Sequence, residues 1–261
     1  MPSILLQADY SQAELRTLAC LSGDAMLRQI YLDDKDAHTA TAAAVYEIPI
    51  EQVSKAQRND AKPINFGIPY GMSEEGLVAA FTAQRLKAMT DEARTAKRPV
   101  TDTEKLHVSE QAKQDGLMFL QKHKQMFAGV WRFMAGEVET IRRTGKLITY
   151  FGRTRHLPDV DNRAMRQAYN VRTQSMASDL TLLSLVRIAK ALRQRRLPAK
   201  TRATVYDSLL YEIEESAFWE VAELVHHVMT TIQFDWMTVP FKADLEAGHS
   251  WGELKKVDLL H

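Results

Sequence analysis

Four side chains spaced four residues apart constrain the fold of this chain more than any other feature. In the segment RNDAKPINFGIPYG they are two cations followed by two aromatic residues, Arg58, Lys62, Phe66 and Tyr70. On an α-helix each step of four residues turns about 40° beyond one revolution, so the pattern predicts a helix with one broad stripe. Arg58 and Lys62 on this stripe suit a bound triphosphate, with Phe66 against the attached base. The alternative interpretation of the same spacing is an amphipathic helix with two solvated cations and two core aromatic residues.

Two prolines lie in the same segment. Pro63 and Pro69 have no N–H group, and each is expected to kink a helix. Because Pro63 follows Arg58 so closely, we expect the regular helix to begin later than the motif does.

Two aspartates border short apolar runs. Asp9 follows the run from residue 4 to residue 8, which predicts a buried strand, and Asp207 lies inside a second apolar run from residue 205 to residue 210. An aspartate at a strand end is most often a turn-former. Two carboxylates from adjacent strands are also the ligands that a pair of hard cations needs for nucleotidyl transfer. On these residues alone both interpretations stay open.

Three segments together resemble the family A DNA polymerases, the DNA polymerase I type. Residues 9–16 (DYSQAELR) match the family's motif A, residues 58–71 match motif B, and residues 205–210 (VYDSLL) match motif C in part, in the family's order. The first two matches are long and specific. In the third, Tyr206 and Ser208 stand where the family commonly has histidine and glutamate. The resemblance extends over the whole chain and implies template-directed DNA synthesis from dNTPs.

The resemblance implies a two-metal site. It makes Asp9 and Asp207 the catalytic residues, binding two Mg²⁺ ions with the Tyr10 carbonyl as a further ligand. The absence of an acid at Ser208 removes one carboxylate near the metals, so we expect a change in fidelity or metal preference.

The resemblance also implies a set of nucleotide-binding residues. Glu14 matches the residue that crowds the sugar 2′ position and rejects ribonucleotides by steric clash, although a glutamate in the first turn of a helix is common on electrostatic grounds alone. His38 aligns with a histidine near the incoming phosphates, and a histidine beside alanines is equally typical of a structural residue. The full set is Gln12, Glu14, His38, Arg58, Lys62, Phe66 and Tyr70.

Basic residues strongly outnumber acidic ones between residues 142 and 172. A basic ribbon of this kind is a plausible phosphate contact, which positions DNA without reading sequence; a solvated basic face is the ordinary alternative. Amide side chains suit the minor groove, which presents acceptors at similar positions on every base pair. The resemblance implies DNA contacts, with primer–template DNA as partner, by Arg153, Arg155, Arg166, Asn170, Gln174 and Tyr206.

Composition limits the other possibilities. The formal net charge is +1, so any basic surface must be local. The single cysteine, Cys20, excludes an internal disulfide and a cysteine-based zinc site and fits a reducing compartment. No apolar run approaches the roughly 18 residues of a membrane span. We therefore expect a cytoplasmic protein without membrane contact, located in the host cytoplasm if the chain is viral.

The predicted fold is α+β: a polymerase palm, with a small antiparallel sheet and helices, into which a helical fingers subdomain is inserted. The predicted divisions are palm 1–16 with the motif A strand, fingers 17–150, and palm 151–261 with the motif C hairpin and a C-terminal strand. Charged residues around Pro99 predict a mobile surface insertion near 84–115.

The thumb and the exonuclease domain have no counterpart in this sequence. We expect the C-terminal half of a split polymerase, of a bacteriophage kind, working with a separate N-terminal chain that carries the thumb, with or without the exonuclease. A truncated longer polymerase explains the same coverage.

Two other functions fit part of the pattern. A fragment of a single-subunit RNA polymerase would share the fold, but those enzymes do not carry the glutamate found at Glu14. A non-catalytic DNA-binding or assembly subunit is suggested by Ser208 and by the missing thumb.

Overall fold

The computed structural model describes residues 2–259, which divide into two compact units. Unit 1 comprises the described residues up to Leu21, residues 148–153 and the described residues from Arg172 onward. Unit 2 comprises residues 22–147 and 154–171. The first crossing between the units thus lies after Leu21, and residues 154–171 pack in unit 2.

The described residues form a series of helices and short strands. In chain order they are β1 (Ser3–Tyr10), α1 (Ala13–Ser22), α2 (Ala25–Leu32), α3 (Ala37–Tyr46), α4 (Lys55–Gly67), α5 (Glu74–Thr95), α6 (Asp102–Met126), α7 (Ala128–Thr144), β2 (Lys146–Ile148), β3 (Thr154–His156), α8 (Asn162–Arg195), β4 (Ala199–Val205), β5 (Ser208–Glu214), α9 (Phe218–Thr231), β6 (Ala243–Gly248) and β7 (Lys255–Lys256). Within residues 2–259 every helix is too short or too polar to cross a membrane.

An antiparallel sheet with the order β4-β5-β1-β6-β7 forms the centre of unit 1. Along β1 the side chains of Leu6, Ala8 and Tyr10 are buried, as the two-residue period of a strand predicts for its core face. The Tyr10 hydroxyl lies 2.7 Å from the Ser184 hydroxyl on α8 and donates to the carbonyl of Met229 on α9 at 2.9 Å. These contacts fix both helices to the buried face of the sheet, and the predicted α+β fold is confirmed.

The helix that carries the stripe begins earlier than its prolines suggest. α4 begins at Lys55, where Ser54 and Gln57 form a capping box that satisfies the first N–H groups, and it continues through Pro63. The expectation of a later start is therefore wrong. α4 ends at Gly67, so Tyr70 lies in the following turn and only the first three members of the stripe are on the helix.

Residues 84–115, predicted to be a mobile surface insertion, belong to a two-helix hairpin. α5 and α6 run through this segment and are joined by residues 96–101. Thr101 and Glu104 form a capping box at the start of α6. The buried positions of the segment are sparse, with Ala93 and Ala112 on its two helices. Because charged residues cover the remaining faces, the apolar period of a helix is hard to detect in this sequence.

Candidate functional site

Two aspartates distant in the chain meet at one end of the sheet in unit 1. Asp9 is the next-to-last residue of β1 and pairs with Ser208, the first residue of β5. Asp207 lies in the two-residue turn between β4 and β5, and its carbonyl accepts a hydrogen bond from the Tyr10 N–H at 3.2 Å. The pairing of β1 with β5 thus brings the two carboxyl groups to adjacent positions.

The electrostatics of this corner are unfavourable for bare carboxylates. Burial, together with the negative charges of Asp207, Asp244 and Glu246, raises the pKa of Asp9 to about 6. Burial also raises the pKa of Asp207. Asp244 lies directly opposite Asp9 on β6, and neither it nor Glu246 is among the predicted site residues. Only the strand register shows that they are neighbours of Asp9, because they lie more than two hundred positions away in the sequence.

The raised pKa of Asp9 predicts a pH-dependent stability difference. Its folded pKa of about 6 lies above its ordinary value of 3.8, so stability is lost as pH rises through this window. At pH 7.5 we expect Asp9→Asn to raise the Tm by roughly 2 °C, equivalent to about 1 kcal/mol after allowance for partial exposure. At pH 5, where folded Asp9 is mostly protonated, the difference should shrink. Thermal unfolding of both proteins at the two pH values measures it, and an equal difference at both would contradict the pKa shift.

The turns beside the two aspartates have unusual backbone conformations. Tyr206 is 89% exposed and has a φ of +56°, which is rare for an aromatic residue. Gln12, between β1 and α1, has a φ of +55°, and Glu14 lies in the first turn of α1. The buried Arg16 donates to the carbonyls of Ser11 at 2.9 Å and Pro240 at 2.6 Å. Arg16 therefore holds the motif A turn against residue 240, a role that sequence matching does not reveal.

The cations of the stripe lie beside α3 in unit 2. Arg58 makes a bidentate ion pair with Asp36, with nitrogen–oxygen distances of 2.9 and 3.0 Å. Asp36 also caps α3 by accepting from the Thr39 N–H at 2.8 Å. The hydrogen bonds from Arg58 and Thr39 lower the pKa of Asp36 despite its burial. A predicted phosphate-binding arginine is thus already paired with a carboxylate, a partner that the sequence did not identify.

His38 is buried in the same region. The amide nitrogen of Asn65 lies 3.2 Å from its Nδ1, and its ring centroid is 4.9 Å from that of Phe66. Burial, and then the nearby positive charges of Arg58 and Lys62, lower the pKa of His38 to about 4, although Asp36 opposes this effect. His38 is therefore neutral at pH 7, and the two cations lie close to its ring.

The two aromatic residues of the stripe are not core residues. Phe66 is 46% exposed and Tyr70 is 45% exposed. The alternative of an amphipathic helix with two core aromatic residues is therefore wrong. Half-exposed rings next to cations leave the surface that a nucleobase would need for stacking.

The predicted DNA-binding residues occupy both units. In unit 1, Arg153 is ion-paired with Asp179. In unit 2, Arg155 donates to Gln167 at 3.4 Å.

The remaining DNA-binding candidates lie along α8. Arg166 and Gln174 are exposed and Asn170 is buried, with Asn170 and Gln174 one turn apart. Gly71, with a φ of +66°, lies so close to this helix that a Cβ there would be 2.8 Å from the Arg166 Cα. A side chain at position 71 would therefore displace the turn that contains Tyr70.

Comparisons with known proteins agree with these motifs. The sequence profile of "DNA polymerase family A" matches residues 2–98 and 100–253. DNA polymerase I of Bacillus caldotenax is 30% identical over 259 residues, covering 97% of this chain and 26% of that protein. A DNA polymerase of Bacillus phage SP01 is 30% identical over 263 residues, covering 96% and 26%. The solved POL domain of Pol1 from M. smegmatis, in complex with DNA primer-template and dNTP, superposes with a TM-score of 0.76 at 27% identity, covering 95% of this chain and 40% of that one. The chain thus spans about a quarter of the length of the curated relatives it matches.

Proposed function

The chain belongs to the family A DNA polymerases, and we propose that it carries out template-directed DNA synthesis, transferring a nucleotide from a dNTP to a primer 3′-hydroxyl. The observation that carries the proposal is the meeting of Asp9 and Asp207 at the ends of paired strands, with the negative charge of Asp207 raising the pKa of Asp9. Such a concentration of negative charge costs stability when no cation neutralises it, and it is typical of a functional site.

The chemistry of the donor set fits magnesium. Among residues 2–259 there is no cluster of three or more histidine, cysteine or acidic side chains with metal-binding geometry. Mg²⁺ is commonly bound by one or two carboxylates, with water and substrate phosphates completing the octahedron. Asp9, Asp207 and the Tyr10 carbonyl would hold two such ions. When bound, they supply Lewis-acid stabilisation of the charge on the attacking and leaving oxygens.

The residues of unit 2 bind and orient the incoming nucleotide in this proposal. Lys62 and Arg58 neutralise the triphosphate, and the exposed rings of Phe66 and Tyr70 pack against the base. His38, neutral at pH 7 because its pKa is about 4, offers a hydrogen bond to phosphate without adding charge.

The ion pair between Arg58 and Asp36 predicts an unusual gain of affinity. Asp36→Asn keeps the helix cap, because asparagine caps as well as aspartate, but removes the charge that competes with phosphate for Arg58. We expect the KM for dNTP to fall by about threefold, a change of roughly 0.7 kcal/mol. Steady-state primer extension measures it, with Asp33→Asn, a nearby exposed aspartate, as the control. A rise in KM would show that Asp36 orients Arg58 rather than competing for it.

Glu14 is proposed to exclude ribonucleotides by crowding the 2′ position of the sugar. We expect Glu14→Ala to raise the kcat/KM for a ribonucleotide relative to its deoxyribonucleotide by roughly tenfold or more. Competition between rNTP and dNTP in primer extension measures this ratio. An unchanged ratio would leave Glu14 as an ordinary glutamate of a helix first turn.

Primer–template DNA is the proposed macromolecular substrate. Arg153, Arg155 and Arg166 would contact phosphates, while Asn170 and Gln174 would test the minor groove near the primer end. Tyr206, which is exposed beside Asp207, would donate to the primer backbone.

A second polypeptide completes the enzyme in this proposal. We propose that efficient extension needs the N-terminal regions of the family, including the thumb, supplied by a separate chain as in a split bacteriophage polymerase. Adding the purified N-terminal chain should raise primer extension by this chain greatly. Equal activity without it would refute the requirement while leaving the polymerase proposal intact.

A further inference from the structure

A buried polar cluster lies behind α4 and has no part in the mechanism above. Asp60 on α4 is 97% buried, since its relative exposure is 3%. It accepts two hydrogen bonds from the Arg85 guanidinium on α5, at 2.7 and 2.6 Å, and one from the Tyr46 hydroxyl on α3, at 2.7 Å. Arg85 also donates to the Tyr46 hydroxyl at 3.0 Å. Three helices therefore converge on one carboxylate.

The position of Asp60 on α4 relates it directly to the nucleotide-binding cations. Asp60 lies two residues from Arg58 and two from Lys62, and two helical residues span about 200°. Its side chain therefore projects from the face opposite to theirs. The cluster therefore lies behind the helix, on the side away from the two cations.

The middle of α4 has a structural weakness next to this cluster. Pro63 lies inside the helix and has no N–H to donate to the carbonyl of Asn59. The first half of α4, residues 55–62, is therefore coupled to the second half by one hydrogen bond fewer than in a regular helix. Contacts from neighbouring helices must hold it in place.

Arg85 is itself held by the α5–α6 hairpin. Its guanidinium lies 5.2 Å from the centroid of the Phe81 ring, and a second carboxylate, Asp115 on α6, is 3.9 Å away. The rings of Phe81 and Tyr46 each lie 6.0 Å from Phe119 of α6. The Arg85 guanidinium, whose position is fixed by these contacts, thus joins the α5–α6 hairpin to α4.

We propose that Asp60, Arg85 and Tyr46 are positioning residues, through which the α5–α6 hairpin holds the first half of α4 so that Arg58 and Lys62 keep a fixed geometry toward the triphosphate. The proposal rests on the proposed function for its nucleotide, but not for the positioning itself. Apolar burial of Ala61 and Ile64 already attaches the helix. The bidentate hydrogen bonds to the buried Asp60 carboxylate add an orientation to this attachment. They fix the rotation of α4 about its own axis and its position along that axis.

The test compares Arg85→Met and Tyr46→Phe with wild type in the full chain. The matched control is Arg98→Ala, which removes an arginine of the same hairpin that is ion-paired with Glu104 at the exposed tip. In Arg85→Met we expect the KM for dNTP to rise about tenfold with kcat within threefold of wild type, because a displaced α4 weakens nucleotide binding. Arg85→Lys should recover part of the loss. Tyr46→Phe keeps the ring packing and should raise KM about threefold, and Arg98→Ala should leave it unchanged.

Amide hydrogen exchange separates this proposal from the polymerase proposal. In Arg85→Met, exchange in residues 55–62 should accelerate by about tenfold, while exchange in α7 stays unchanged. If wild type and all variants fail to extend a primer even with the N-terminal chain added, but residues 55–62 exchange faster in Arg85→Met, the positioning holds and the polymerase proposal fails. If wild type is active, and Arg85→Met and Tyr46→Phe are folded with unchanged exchange and unchanged KM, the positioning is overturned. An equal rise in KM for Arg98→Ala also overturns it.

Discussion

Replacing either Asp9 or Asp207 by asparagine is expected to lower the rate of primer extension about a thousandfold. Each carboxylate would lose its charge while keeping its shape, so the cations that stabilise the transferring phosphoryl group would no longer be held. A loss of about 4 kcal/mol of transition-state stabilisation corresponds to this factor. Single-turnover extension at saturating dNTP measures the chemical step directly.

The control separates lost chemistry from lost folding. Glu212→Gln makes the same kind of change on β5, at a partly exposed position opposite Leu5 where the carboxylate is ion-paired with Arg202, and should leave extension within twofold. Because Asp9→Asn is also expected to raise the Tm at pH 7.5, its inactivity would not come from unfolding. DNA binding by Asp207→Asn should stay near that of wild type. Full extension activity in both variants would contradict the catalytic role proposed for these two aspartates. Intact DNA binding without any extension by wild type, even with the N-terminal chain added, would favour a non-catalytic DNA-binding subunit instead.

The second large effect is expected from the lysine of α4. Lys62→Ala should lower the kcat/KM for dNTP about a hundredfold, because a charge-assisted contact to a triphosphate contributes roughly 2.7 kcal/mol. Lys62 lies close to the buried His38, whose pKa its charge lowers, and so belongs to the same cationic surface as Arg58. The measurement is steady-state primer extension over a range of dNTP concentrations.

Lys55→Ala is the matched control for this prediction. Lys55 is an exposed lysine at the first position of the same helix, roughly 10 Å along the axis from Lys62, so its loss changes net charge by the same amount at a distance from the proposed phosphate contact. We expect its kcat/KM to stay within twofold of wild type. Lys62→Arg should retain most of the activity. If Lys55→Ala and Lys62→Ala lose activity equally, the effect is general electrostatic attraction rather than a specific phosphate contact.

The helical stripe shows which structural features a local sequence pattern can predict. The four-residue period correctly predicts that Arg58, Lys62 and Phe66 share one helix, because helical hydrogen bonds join residues near in sequence. The ends of the helix are harder to predict. Tyr70 lies beyond it, since α4 stops at Gly67. Pro63 taken alone predicts a later start for α4, but the capping box at Ser54 starts the helix before the proline.

The α5–α6 hairpin shows the opposite case. Its charged surface hides the apolar period, so its sequence resembles a loop. Two helices form because a few buried residues, such as Phe81 and Phe119, find each other across the hairpin. Each helix is stabilised mainly by its contacts with the other one, so the sequence of either helix alone does not predict that it forms.

The sequence by itself determined the membership of this chain in a polymerase family and its α+β fold class, and it singled out the two motifs that contain Asp9 and Asp207, because motifs and periodicities are properties of neighbouring residues. Only the tertiary structure decided which charges meet: Asp9 with Asp207 and Asp244, Arg58 with Asp36, and Asp60 with Arg85. Those pairs depend on strand register and helix packing between segments far apart in the chain. Residue types therefore suffice to propose a chemistry, whereas the electric field around each charged group follows only from the tertiary structure.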